Sequence, residues 1–227
     1  MNRIAFYDMD KTVTRRPTWT AFLVYAAVHR SPLRLALFPA AGVASLGYLL
    51  HRVNRGRLKE ITQGLFLGRA VAAEDLARLA NGFADKVVAR GVLDDARARI
   101  AADRAAGYRL VLATASHDYY AAEIARRLGF DAVVATQAER DAHGRVLPRL
   151  RGENCYGAAK LAMVEEWMKR EGIDRAGTHV RAYSDHVTDA PLLEWADEAF
   201  AVNAHGPLRA LAHERGWPML EWDLPPA

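Results

Sequence analysis

The 227 residues include 31 Lys+Arg and 27 Asp+Glu, for a net charge of +4, with 51% hydrophobic and 26% charged side chains. That balance excludes wholesale disorder and leaves room for one large domain, or a core with an insertion. The basic residues are scattered and carry no nucleic-acid motif, which argues against a nucleic-acid partner and for phosphorylated small molecules or acidic lipid.

The first predicted element is a strand over Arg3 to Tyr7, where a continuous apolar run fits burial on both faces. No apolar leader precedes it, and a single cysteine, Cys155, fits a reducing compartment, so the chain reads as cytoplasmic. Asp8 and Asp10 follow the run at spacing i, i+2, which places both on one side if the extension persists. Two acids after a buried strand cost free energy unless a cation or a proton compensates them. Folding alone gives no reason to put them there.

Residues 14–18 break the pattern, with Pro17 placed to open a helix, and the chain then reads as helical from about 14 to about 90 with no strand signal. Within that block, Leu35 to Leu50 holds no charged residue. The stretch is shorter than the roughly 20 residues that span a bilayer, so the favoured reading is a buried helix of a small bundle. The other reading uses its basic flanks, Arg30 and Arg34 before and His51, Arg52, Arg55 and Arg57 after: an interfacial segment resting on the inner face of an anionic membrane.

From Gly107 on, strand and helix alternate: Tyr108 to Thr114, a helix from Ala121 closed by Gly129, Asp131 to Thr136, a hairpin turn at Asp141 to Arg145, a helix from Gly157, then Thr178 to Ser184 and Glu198 to Val202. The fold class is therefore α/β, a Rossmann-like parallel sheet with helices on both faces. The helical bundle inserted after the first strand forms a cap over residues 14–90, and residues 1–13 and 91–227 form the core.

Open parallel sheets bind ligands beyond the carboxyl ends of their strands. Predicted strands here end in Asp8, in Thr114 and in Ser184-Asp185, and Lys160 lies in the helix after the hairpin. Acids, a hydroxyl and an ammonium gathered in one crevice are suited to phosphoryl transfer: a carboxylate attacks phosphorus, a hard cation neutralises charge, and Thr and Lys hold the non-bridging oxygens.

Asp8-Met9-Asp10-Lys11-Thr12, then Thr114, then Lys160, then Ser184-Asp185-His186-Val187-Thr188-Asp189 resembles the four motifs, in order, of the haloacid dehalogenase superfamily. The helical insertion resembles the subclass with a small helical cap, which includes phosphoserine phosphatase. The resemblance implies Asp8 as a nucleophile that becomes an aspartyl-phosphate, and Asp10 as general acid and base. It implies Mg²⁺ held by Asp8, the backbone carbonyl of Asp10 and Asp185, with Thr114 and Lys160 on the phosphoryl oxygens and Asp189 and Thr12 in support. Ser116 replaces Thr114 if the strand ends two residues later, and Arg15 or Arg16 is near enough to reach an anionic leaving group.

Two departures bear on substrate. Thr114-Ala115-Ser116 stands where phosphoserine phosphatases carry Ser-Gly-Gly, and Ser184 stands where Gly is usual. The missing glycines weigh against a small amino-acid substrate. The sequence thus reads as a Mg²⁺-dependent phosphomonoesterase leaning to an amphipathic or lipid-linked phosphate such as phosphatidylglycerophosphate. The alternatives are a small-metabolite phosphatase or phosphotransferase and, outside the enzymes, a phospho-accepting signalling module.

Overall fold

Two alternating sets of apolar side chains along one short strand set the architecture. The computed structural model describes residues 2–223. It opens with β1 (Asn2–Tyr7), then four helices, α1 (Trp19–Arg30), α2 (Phe38–Leu49), α3 (Arg55–Phe66) and α4 (Ala73–Arg90), with a 3-10 helix at Pro32–Leu37 ahead of α2. Beyond α5 (Asp94–Ala105) come β2 (Arg109–His117), α6 (Asp118–Leu128), β3 (Ala132–Thr136) and a hairpin of β4 (Ala138–Arg140) and β5 (Val146–Leu150). The chain ends with α7 (Ala158–Arg170), β6 (Thr178–Ser184), α8 (Ala190–Trp195), β7 (Glu198–Val202), α9 (Gly206–Arg215) and β8 (Met219–Leu220).

Six strands form one sheet in the order β3-β2-β1-β6-β7-β8, with every pairing parallel. Ile4 and Phe6 of β1 join Val111 and Ala182 on one face, packed beneath α7, α8 and α9 through Trp167, Leu192 and Leu208. Ala5 and Tyr7 join Leu112 and Tyr183 on the other, beneath α4, α5 and α6 through Phe83, Ile100 and Ile124. Helices on both faces hide the strands' apolar runs, as parallel pairing requires.

The helical block leaves and re-enters the core at one place. Thr14 bridges Val92, Arg15 N donates to the Gly91 carbonyl at 2.7 Å and Leu93 N to that of Val13 at 3.0 Å. α4 packs on α1, where Phe22 meets Phe83 edge-on, and lies along α6, where Phe83 also meets Tyr120 edge-on and Arg127 pairs with Asp85 at 2.8 Å. The hairpin instead joins α3, with Gln63 Nε2 donating to the Leu147 carbonyl and Leu150 N to Glu60.

Three expectations change. The 14–90 block contains strand-like bridges after all, at Thr14 and at Val71, which pairs with Val146. β2 runs on to His117 through an irregularity between Thr114 and His117, because the bulge keeps the extended chain beside β3 beyond the predicted end. The apolar segment is not a buried bundle helix. Along the 3-10 helix and α2 only Ala41 is buried among the described residues, while Leu33, Val43, Leu46 and Leu49 are 88, 72, 54 and 69% exposed. α3 packs against one side of α2, where Phe38 meets Phe66, and among the described residues no element covers the other side.

Candidate active site

β1 stops at Tyr7, so the acids are not gathered by a persisting strand as the spacing implied. Asp8 N still donates to the Tyr183 carbonyl at 2.9 Å, and then the chain turns back, with Val13 N and Thr14 N both donating to the Met9 carbonyl. Lys11 takes φ = +67° in this turn, a left-handed conformation that costs an L-residue about 1 kcal/mol and recurs at functional sites. The turn leaves both Asp8 and Asp10 on one cavity of about 220 Å³, with Thr114, Lys160, Asp185 and Asp189 around it.

At its floor, Lys160 Nζ lies 2.8 Å from Asp8 Oδ1 and 2.6 Å from Asp189 Oδ2, and Ser184 Oγ donates to the same Asp189 oxygen at 2.7 Å. Burial opposes the Lys160 charge, but Asp189 and Asp8 outweigh it and hold the ammonium protonated, its pKa raised. Asp8 is pushed up, first by burial and then by Asp189 and Asp185, against the pull of Lys160. Asp185 is pushed up by burial in the same way, and Thr12 Oγ1 approaches its carboxylate at 3.5 Å. Gly157, at φ = +62°, lets the loop turn into α7 and so delivers Lys160.

Asp10 is held differently. Its Oδ1 accepts from Thr18 N at 2.9 Å and from Thr18 Oγ1 at 2.7 Å, and its Oδ2 accepts from Ser116 Oγ at 3.1 Å. Ser116 thus faces the second acid, while Thr114 lines the small cavity, its Oγ1 accepting from Ser116 N at 3.0 Å. Arg15 and Arg16 lie apart from both, beside a cavity between α1 and α4. Arg15 is tied to Asp94 at 3.3 Å and to Asp223, so the structure does not bring it to the acids.

The donor set suits a hard divalent cation. Asp8, mostly buried, and the buried Asp185 are carboxylates that repel one another, and among the described residues the buried Asp189 Oδ1 has no hydrogen-bond partner. Among the described residues no three His, Cys, Asp or Glu side chains form a closed cluster. Two carboxylates with a backbone carbonyl match Mg²⁺, which keeps several waters and prefers oxygen.

The sequence reading missed Thr18, Arg55, Tyr156 and Lys59. Lys59 is buried on α3, its Nζ donating to the Ala115 carbonyl and to Asn154 Oδ1 at 2.6 Å, and burial, followed by Arg55, lowers its pKa to about 7. The available signal was helical: Lys59, Gln63 and Phe66 share the buried stripe of α3, so a lysine sits on an inward face. A second, larger cavity of about 560 Å³ adjoins the first, lined by Trp19, Leu23, Phe38, Ala41, Tyr48 and Phe66 among others, and shares Asp10, Pro17, Arg55 and Ala115 with it.

A parallel sheet with paired acids and a hydroxyl at its strand ends, and a lysine on α7 beside them, is equipped for phosphoryl transfer. The chain belongs to the haloacid dehalogenase-like hydrolases, whose family model matches residues 5–194. It is 33% identical over 225 residues to a Mycobacterium tuberculosis protein named as a phosphoserine phosphatase, covering 97% of this chain and 71% of that one. A Bordetella pertussis protein of unknown function has the same fold, at a TM-score of 0.85 and 24% identity, covering 97 and 99% of the two chains. The phospho-aspartyl intermediate analogue of phosphoserine phosphatase superposes at a TM-score of 0.63 and 17% identity, over 97 and 93%. The protein is a phosphatase of this family, whose members generally depend on Mg²⁺ and use an aspartyl-phosphate.

Proposed function

We propose that the protein is a Mg²⁺-dependent phosphomonoesterase acting through Asp8 on an amphipathic, lipid-linked phosphate such as phosphatidylglycerophosphate. The observation that carries the substrate reading is the pair of adjoining cavities, one small and acid-lined, the other large and apolar. A phosphoserine-sized molecule has no apolar part to fill the second, so the names of relatives do not decide the matter. Phosphoserine-like metabolites remain the rival class.

Asp8 attacks phosphorus in line with the leaving oxygen, the ester P–O bond breaks, and Asp10 protonates the departing alkoxide. Asp10 then takes a proton from the water that hydrolyses the aspartyl-phosphate. Lys160 and Thr114 hold the non-bridging oxygens. Asp8, Asp185 and the Asp10 carbonyl would hold Mg²⁺, which supplies charge neutralisation at the phosphoryl group.

α2 supports the lipid reading from both sides. Phe38, Ala41, Ser45 and Tyr48 line the large cavity, and Val43, Leu46 and Leu49 face outward. Pro32–Leu49 has a mean hydropathy of 1.3 over 18 residues and is only 6% buried. Apolar surface with arginines at its edges suits peripheral contact with an anionic bilayer.

A Mg²⁺-dependent phosphatase screen over phosphatidylglycerophosphate, phosphatidic acid, phosphoserine and glycerol 3-phosphate tests the assignment. Lipid phosphates should lead in kcat/KM; a lead by phosphoserine sinks the lipid reading. Flotation with anionic vesicles should carry the wild type and release Leu46→Glu.

A further inference from the structure

α3 carries two cations, one helical turn apart, to the seam between the cavities. Arg55 lines both, its guanidinium 4.1 Å over the Tyr156 ring. Lys59 lies in the wall of the larger one. Among the described residues neither has a carboxylate partner, whereas Arg57 on the same helix pairs with Glu60 at 2.9 Å. On the mechanism proposed above the transferred phosphoryl group is held by Lys160 and Thr114, which line the smaller cavity and not the larger one.

A merely structural role explains Lys59 poorly, and among the described residues the Tyr156 ring that Arg55 covers leaves the hydrogen-bond donors of its guanidinium unused. Lys59 ties α3 to Ala115 and Asn154 through two carbonyl-type acceptors, which a neutral donor would satisfy without burying a charge. Its lowered pKa records that cost, and an anion in the cavity would remove it. Arg55 takes no part in the tie. Two cations on one helix face, neither in an ion pair among the described residues, meet a cavity whose one lining carboxylate is Asp10, which leaves room for an anion supplied from outside, and a guanidinium fork matches a phosphate or carboxylate edge.

We infer that Arg55 and Lys59 form a second anion site, and that the substrate's leaving alcohol carries a phosphodiester between the scissile phosphomonoester and its apolar part. The place of the site dictates the chemistry. It sits between the two cavities, so its occupant must link the two ends of one molecule, and a phosphodiester is a linking anion where a carboxylate is a terminal branch. This rests on the amphipathic reading above and specifies it.

The test compares dioctanoyl phosphatidylglycerophosphate, which carries the phosphodiester, with dioctanoyl phosphatidic acid, which lacks a second anion, and with glycerol 3-phosphate, which lacks chains. The readout is the ratio of kcat/KM for the two lipids, in which any general loss of activity or of folded protein cancels. The wild type should favour phosphatidylglycerophosphate about tenfold or more. Arg55→Ala and Lys59→Met should each collapse the ratio by about tenfold, as for one lost charge-assisted contact, and Arg55→Lys should recover part of it. Arg55 is exposed, so its variants keep the test decisive even if Lys59→Met folds poorly. Equal kcat/KM for the two lipids, or a ratio unmoved by both substitutions, overturns the second anion site and leaves the amphipathic reading standing. Turnover of glycerol 3-phosphate with neither lipid hydrolysed overturns that reading, and this site with it.

Discussion

Ser116 Oγ sits 3.1 Å from Asp10 Oδ2, so the end of β2 holds the second acid of the chain that leaves β1. Thr18 completes the grip on the other oxygen through its amide and its hydroxyl. A proton shuttle must point at the leaving oxygen in one step and at water in the next, and these contacts fix its rotamer. Thr18→Val and Ser116→Ala should each lower kcat by about tenfold with little change in KM, because the loss falls on orientation. Steady-state kinetics separate the two parameters; a change confined to KM would assign these hydroxyls to substrate binding instead.

Asp8→Asn should abolish turnover, since an amide cannot form the acyl phosphate, while the fold survives because Lys160 keeps Asp189. Chelation should remove activity and lower Tm. At a Mg²⁺ concentration of 100 times Kd the bound ion contributes about 2.7 kcal/mol, which calorimetry with and without the ion can read. Asp8→Asn should lose most of that metal-dependent increment.

Two buried bases make stability rise with pH, in separate windows. Lys59 has its pKa lowered to about 7, so below that pH it is charged in both states and the penalty is complete. As pH climbs from about 7 towards the ordinary lysine value of 10.5, the unfolded chain binds the extra proton and the folded state gains. His117, stacked between Trp19 and Tyr119, is held neutral by burial, so stability is lost as pH falls below the ordinary histidine value of 6.5. Urea titrations of Lys59→Met and His117→Phe against wild type should show an advantage for the first that shrinks above pH 7. The second should gain only in acid.

Asp103 is the buried acid that fastens the sheet to α5. It accepts from Tyr7 at 2.6 Å, Tyr183 at 2.8 Å and Arg181 at 2.7 Å. Asp103→Ala strands two buried phenols and a cation and should cost about 3–5 kcal/mol in chemical denaturation. Adding Tyr7→Phe and Tyr183→Phe to that variant should recover part of the loss; a fully additive triple variant would show that the phenols do not depend on the acid.

Cys155 is fully buried, and burial pushes its thiol up to about 12. The native protein should therefore resist thiol reagents at neutral pH and react stoichiometrically once unfolded, as a colorimetric thiol assay would show.

The site's chemistry was legible because it is local to strand ends. Buried parallel strands announce themselves as apolar runs, and whatever polar group follows such a run must face the crevice; Asp8, Thr114 and Asp185 are all found that way. Gly129 closes α6 at φ = +80°, another feature a single residue decides. The gathering of Asp8 with Asp10 was right in outcome but wrong in route, since β1 stops at Tyr7 and the chain turns at Met9 where an extended strand was expected.

The sequence by itself determined the sheet, the order of its chemistry-bearing strand ends and the existence of a helical block after the first of them. Only the tertiary structure decided how that block packs. The composition of Leu35 to Leu50 is equally compatible with burial and exposure, and the outcome depends on how many elements pack there; α3 covers one side of α2, and among the described residues nothing covers Val43, Leu46 and Leu49 on the other. Arg55 read as a basic flank of the apolar segment, and Lys59 became a buried charge only when α3 was laid over Ala115 and Asn154. Burial of a charge depends on partners distant in sequence, so the second cavity and its cations appear only once the chain is folded.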